Sequence, residues 1–190
     1  MGSWNYPVYT VIGPLIHVIS AGNCCLIKSS EMAPNSFFAI KKLIEKFLDN
    51  DCYYCIEGEI EVAKRLCSSK FDYICFTGST EKGKLVASAA ALNLVPCLLE
   101  LGGKCPVIVD KSTDIDLAAK KIVFAKYLNA GQTCVAPDYT LVHESIKDKF
   151  ITIAKKYIKE FWNEGKNVAD YGRVINDFHK KRVCDLLKDH

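Results

Sequence analysis

Apolar positions along the chain switch between two periods, and the switches mark out the elements. Asn23 to Ser30 (NCCLIKSS) holds a short uninterrupted apolar run of the kind a buried strand carries. Pro34 and Asn35 then open a stretch in which Ile40, Leu43, Ile44, Phe47 and Leu48 form one stripe at helical spacing. Cys52 to Gly58 predicts a second strand, and Ile60 to Ser68 a short helix. Phe71 to Ser79 (FDYICFTGS) predicts a third strand ending in a glycine turn, and Thr80 to Leu92 an alanine-rich helix. VPCLLELGG and CPVIVD, from Val95 and from Cys105, are further extended apolar runs. Repeated strand–helix–strand units imply a parallel sheet with helices on both faces.

Beyond Asp110 the character shifts. Asp114 to Tyr127 is an amphipathic helix with acids in its first turn, which suits the helix dipole. Tyr139 to His143 reads as a strand, and Ile146, Phe150, Ile153, Tyr157 and Phe161 mark a longer helix. Residues 163–167 (NEGKN) read as a loop, and Asp177 to Lys188 as a final basic helix. A domain boundary is expected near Gly102 to Pro106, where the glycines of LGGKCP mark the change. Val8 to Ile27 is apolar enough to raise the question of a membrane span. It contains Pro14, His17, Gly22 and Asn23 and lacks flanking belts, so a buried core helix running into a strand is the expectation.

Composition narrows the class. The 190 residues are 49% hydrophobic and 25% charged, as in an ordinary globular protein, and the net charge is only +3. The lysine pairs sit among acids along predicted helices, so no nucleic-acid partner is expected. There are ten cysteines, but no signal peptide precedes them, and Cys24, Cys25, Cys75 and Cys97 fall in strand-like runs where a free thiol acts as a small hydrophobe. A reducing compartment is therefore expected. Cys52 and Cys55 form a lone CxxC with too few ligands for zinc, and no metal site is expected. The start MGSWNYP fails as a myristoylation signal, because Tyr6 stands where serine or threonine is needed.

Three places could carry chemistry. In FTGSTEKGK, a strand runs through Gly78 and Ser79 into a helix, whose free N–H groups suit a phosphate; a plain helix cap by Ser79 is the alternative. Glu100 is a carboxylate in an otherwise apolar strand, so it should be paired, hydrogen-bonded or shifted in pKa; a general base and a structural ion pair both fit. Cys134 follows the small-residue stretch Asn129 to Thr133, in a loop between a helix and a strand. A thiolate there would need exposed backbone N–H groups or a base from elsewhere in the chain.

The segments SWNYP, AGNCCLIKSSE, FTGST, LELGGK, NAGQTCVAPDY and GRVIN follow one another in the order seen in the aldehyde dehydrogenase superfamily, which this chain resembles from Gly2 to at least Asn176. GQTCVAPDY resembles the class 3 branch, which includes fatty aldehyde dehydrogenases. The resemblance implies an α/β fold: residues 1–102 as a partial Rossmann-like NAD(P)-binding domain, then residues 103–190 as the start of a catalytic α/β domain. It implies oxidation of an aldehyde with NAD or NADP through a thiohemiacetal and a thioester on Cys134. Glu100 matches the general base, and Asn5 the side chain that binds the developing oxyanion with the Cys134 N–H. Lys28 and Glu31 match positions that hold the adenosine ribose, and Gly78, Ser79 and Gly83 the turn and helix start near the pyrophosphate. Glu31 leans toward NAD, because its carboxylate would repel a 2′-phosphate.

Two small departures from the family pattern are Ser29, where proline is frequent, and Glu59, where a second glycine often follows Gly58. The larger one is length. Relatives begin before WNYP and carry a downstream E-x-F-G-P motif and a C-terminal segment for oligomerisation or membrane attachment. The resemblance thus implies an internal fragment of proteins that form homo-oligomers, with little dehydrogenase activity of its own. Cytoplasmic location is the default. The alternatives are a non-catalytic paralogue that serves as a binding or structural subunit, and a thioesterase-like remnant that uses Cys134 and Glu100.

Overall fold

The computed structural model describes residues 1–162 and 169–188. The chain divides into two compact units, Met1–Gly102 and Gly103–His190. The expected loop at 163–167 lies outside the described residues.

In the first unit, α1 (Tyr9–Ser20) leads to β1 (Cys25–Ile27), α2 (Pro34–Phe47), β2 (Tyr53–Cys55), α3 (Ile60–Cys67), β3 (Ile74–Gly78), α4 (Thr80–Ala91) and β4 (Cys97–Leu101). β1 pairs with β2 and β3 with β4, both in parallel. The parallel sense is as expected from the alternating pattern, since each strand pair is joined through a helix. A single continuous ladder is not formed. Between the pairs lies only an extended two-residue segment: Gly2 donates its N–H to the Lys28 carbonyl (2.9 Å), and Met1 accepts from the Thr77 N–H (3.0 Å). The Met1 ammonium donates to the Cys75 carbonyl at 2.7 Å, and burial lowers its pKa.

Two apolar clusters hold this unit. Val11 and Leu15 of α1 and Phe37, Ile40 and Ile44 of α2 pack on Ile27 and Cys55. Cys67, Val86, Ala90 and Val95 pack on Ile74. Two expectations need correction. On α2 the buried face runs through Phe37, Ile40 and Ile44, while Leu43 and Phe47 are exposed: Leu43 lies to one side of that stripe, and Phe47 is the last residue of the helix. Likewise α1 is only half-buried: Tyr9, Ile16 and Ile19 lie on its open face. Among the described residues, no helix is long and apolar enough to cross a membrane.

The second unit runs β5 (Cys105–Val109), α5 (Ile115–Tyr127), a 3₁₀ turn (Leu128–Gly131), β6 (Pro137–Val142), a second 3₁₀ turn (Glu144–Ile146), α6 (Lys147–Trp162) and α7 (Asp177–Leu186). β5 and β6 are parallel. Asp114 caps α5 by accepting the Leu117 N–H, and Asn176 caps α7 by accepting the His179 N–H. All five stripe positions of the long helix join the core around Val109, Ala119 and Val123. Helices cover one face of this pair; Ile108, Tyr139 and Leu141 stand exposed on the other, so the expectation of cover on both faces fails here.

Tyr157 is buried, and its hydroxyl donates to Asp116. That bond, then burial, pushes the phenol up to about 12. A folded-state pKa above the unfolded value favours folding at low pH, and the advantage is lost as pH rises from about 10 toward 12. Urea midpoints should therefore fall between pH 9 and 11.5, and fall less in Tyr157→Phe. An identical slope in both proteins would show that Asp116 does not hold the phenol.

Candidate active site

At the C-terminal end of β1 the chain carries Lys28, Ser29, Ser30 and Glu31. Lys28, Ser29 and Ser30 are all buried. A buried ammonium needs partners, and Lys28 Nζ has two: Glu31 Oε2 and the Ser29 carbonyl, each at 3.1 Å. Burial alone would raise the Glu31 carboxyl pKa, but a backbone hydrogen bond and Lys28 outweigh it and hold the group below the usual carboxylate range. The residues matched to a ribose site are thus brought together as an ion pair beside a cleft. The cleft measures about 170 Å³ and is lined by Ser29, Glu31, Phe37, Phe38, Ile56 and Gly58, among others. Gly58 has φ +148°, and a Cβ there would stand 2.3 Å from Val62 Cγ2, so the turn into α3 requires glycine. Ser29 Oγ is buried and has no hydrogen-bond partner among the described residues. A cleft that combines phenylalanine rings with the Lys28-paired Glu31 carboxylate and Ser29, whose hydroxyl is unsatisfied, could hold a nucleoside.

The second predicted phosphate feature takes the plainer form. Ser79 caps α4, accepting the Lys82 N–H at 3.3 Å. Gly83 is buried on α4, where a Cβ would meet Leu101 Cδ2 at 2.6 Å; its glycine lets the helix lie close on β4. Gly78 ends β3, and a Cβ there would stand 2.5 Å from the Phe76 ring. These residues do share one strand–helix junction.

Glu100 corrects the sequence reading. Its neighbours in β4 are apolar, but alternate residues of a strand face opposite ways. Cys97, Leu99 and Leu101 are half-buried, whereas Leu98 and Glu100 are exposed. Its carboxylate therefore reaches water without the burial that the apolar run implied. Asn5, in the turn before α1, accepts the Ser3 hydroxyl through Oδ1 at 2.6 Å.

Cys134 belongs to the second unit and is exposed. The chain leaves α5 through Asn129 and Ala130, both at φ +54°, and Gly131 at φ +74°. Left-handed backbone costs a non-glycine residue roughly 1 kcal/mol, so surrounding contacts must hold this turn. The Cys134 carbonyl accepts the Cys105 thiol at 3.4 Å. Asp138, the acid nearest in sequence, is paired at 3.4 Å with Lys104 and at 3.9 Å with Lys126.

The aldehyde dehydrogenase family model matches residues 1–190. The chain belongs to the aldehyde dehydrogenase family. It is 50% identical over 187 residues to 4,4′-diaponeurosporen-aldehyde dehydrogenase of Staphylococcus aureus, covering 97% of this chain and 40% of that protein. It is 44% identical to aldehyde dehydrogenase family 3 member A2 of Macaca fascicularis, covering 99% of this chain and 39% of that one, in line with the class 3 resemblance. A solved substrate-bound state of Staphylococcus aureus AldH superposes with a TM-score of 0.87 at 48% identity, over 98% of this chain and 41% of that one. The chain thus spans about 40% of the length of these relatives.

Within this chain, one residue of the cysteine loop has no counterpart in the sequence analysis. Gln132 donates through Nε2 to the Asn129 and Arg173 carbonyls and accepts the Ile175 N–H through Oε1, all at 3.0 Å. It ties the left-handed turn to the GRVIN segment. Only the recurrence of NAGQTC and GRVIN together hinted at this, since a loop glutamine has no periodic signature. Gln132→Ala should lower stability by about 1–2 kcal/mol, because three hydrogen bonds are lost and a strained turn is freed. Hydrogen exchange at the Gln132 and Ile175 amides should quicken; unchanged protection at both would show that the glutamine does not hold the loop.

Proposed function

We propose that the protein oxidises an aldehyde to a carboxylic acid with NAD(P)+, through a thioester on Cys134. The observation that carries this reading is the placement of an exposed Cys134 at the end of a held, left-handed turn, in a chain of this family. In the first step the Cys134 thiolate attacks the carbonyl carbon, and the Cys134 N–H stabilises the oxyanion of the thiohemiacetal, a role that the family resemblance also gives to the Asn5 amide. The bound dinucleotide supplies the hydride acceptor. Glu100 takes a proton from the water that cleaves the thioester, and its exposure lets that water reach it. Overall, aldehyde, water and NAD(P)+ give acid, NAD(P)H and a proton.

Lys28, Glu31 and the orphan Ser29 hydroxyl supply donors and an acceptor for the adenosine ribose, and Phe37 and Phe38 line the same cleft. Glu31, held ionised, disfavours a 2′-phosphate and so favours NAD+ over NADP+. Titrating the folded protein with NAD+ and then following NADH absorbance with a medium-chain aldehyde tests the proposal. Saturable binding followed by NADH formation supports it. Folded protein that binds no NAD+ and makes no NADH would favour a non-catalytic binding or structural subunit.

A further inference from the structure

The ten cysteines are not equivalent once placed. Cys55 and Cys67 are buried and serve as packing atoms, with their thiol pKa values raised by burial. Cys24 and Cys52 differ. β1 and β2 are aligned with Cys25 opposite Tyr53, which sets Cys24 opposite Cys52 one step before each strand begins. The Cys25 N–H donates to the Cys52 carbonyl at 2.7 Å, so the register persists at this end. Neighbouring strands run about 4.8 Å apart, inside the range of Cα separations that a disulfide spans. The two thiols also sense each other, since Cys24 is the leading cause that raises the Cys52 pKa. Cys24 is exposed and Cys52 is partly so, which leaves both sulfurs open to reagents in solution.

We infer that Cys24 and Cys52 form a redox-active dithiol, a modification site that hydroperoxides convert to a disulfide bridging the starts of β1 and β2. In the first step the Cys24 sulfur attacks one peroxide oxygen; the O–O bond breaks, water leaves, and a sulfenic acid remains. The Cys52 sulfur then attacks the Cys24 sulfur, the S–O bond breaks, and a second water departs with the thiol proton. Two thiols and one hydrogen peroxide thus give one disulfide and two waters, with two electrons passing from sulfur to the peroxide. This order suits the two environments. Cys24 is the more exposed, while Cys52 is held as a thiol, at about 11, chiefly by its interaction with Cys24 and then by burial. Cys55 belongs to the core cluster with Ile27, so the CxxC spacing is not the reactive unit. The site lies at the N-terminal ends of the two strands whose C-terminal ends lead into the nucleoside cleft, and it owes nothing to the reading of Cys134.

Mild hydrogen peroxide treatment of the whole protein, followed by alkylation and non-reducing tryptic mass spectrometry, tests this. Peptide 1–28 carries Cys24 and Cys25, and peptide 47–64 carries Cys52 and Cys55. The expected result is a cross-link between these peptides, reversed by dithiothreitol, absent from Cys24→Ser and Cys52→Ser and retained in Cys55→Ser. Fragment ions that separate Cys24 from Cys25 assign the bond in the unaltered protein, should a variant fail to fold. The oxidised protein should also melt at least about 5 °C higher than the reduced one, because the bridge closes a long loop of the unfolded chain. A link that survives in Cys24→Ser, or oxidation that stops at unlinked sulfinic acids, would overturn the assignment.

Discussion

Replacing Cys134 with alanine is expected to lower NAD(P)H formation from an aldehyde by at least about 10³-fold, the scale seen when a catalytic nucleophile is removed. Stability should stay within about 0.5 kcal/mol of the parent, because an exposed side chain outside every core cluster is being shortened. The backbone carbonyl that accepts the Cys105 thiol is kept in the variant. The combination separates a chemical role from a structural one. Cys134→Ser keeps the shape but offers a hydroxyl, which is a far weaker nucleophile than a thiolate at neutral pH, so it should be nearly as inactive. Product formation that persists in both variants would mean that the reaction does not pass through Cys134.

The elements were legible because their apolar periods are clean. Alternating extended and helical runs announced parallel pairing, and the five-residue stripe from Ile146, just before α6, to Phe161 marked the face that the core takes up. Errors arose where burial depends on partners distant in sequence. LLEL carries apolar residues on both faces of β4, so the string alone could not say that Glu100 shares the exposed face with Leu98. The left-handed backbone at Asn129 and Ala130 was equally hidden. Neither residue type demands it; Gln132 imposes it through the distant Arg173 and Ile175. Gly172 passes 3.1 Å from the Asn129 carbonyl carbon, measured from where a Cβ would lie, so no larger residue fits there without a shift. The same limit applied to Cys24 and Cys52, whose closeness follows from strand register and not from spacing along the chain.

Ile40→Ala should be the most damaging of the conservative core changes in the first unit, costing about 2–5 kcal/mol. Ile40 is 2% exposed, has the largest fully buried side chain among the described residues, and sits on α2 between Phe37 and Ile44 in the cluster that joins that helix to β1 and β2. Truncation removes three carbons from a site where helix and strands meet, and the surrounding backbone is fixed by the β1–β2 ladder, so the gap cannot close fully. A loss of this size is a large share of an ordinary domain's stability, and urea denaturation would show it as a lowered midpoint at nearly constant slope. The consequence should reach function as well. Phe37 lies one helical turn from Ile40 and lines the cleft proposed for the nucleoside, so a loosened α2 widens the wall against which an adenosine would pack. NAD+ affinity should therefore fall together with stability, whereas alkylation of the exposed Cys134 in the second unit should proceed at the parental rate. Equal loss at both places would show that the two units do not hold their structures independently.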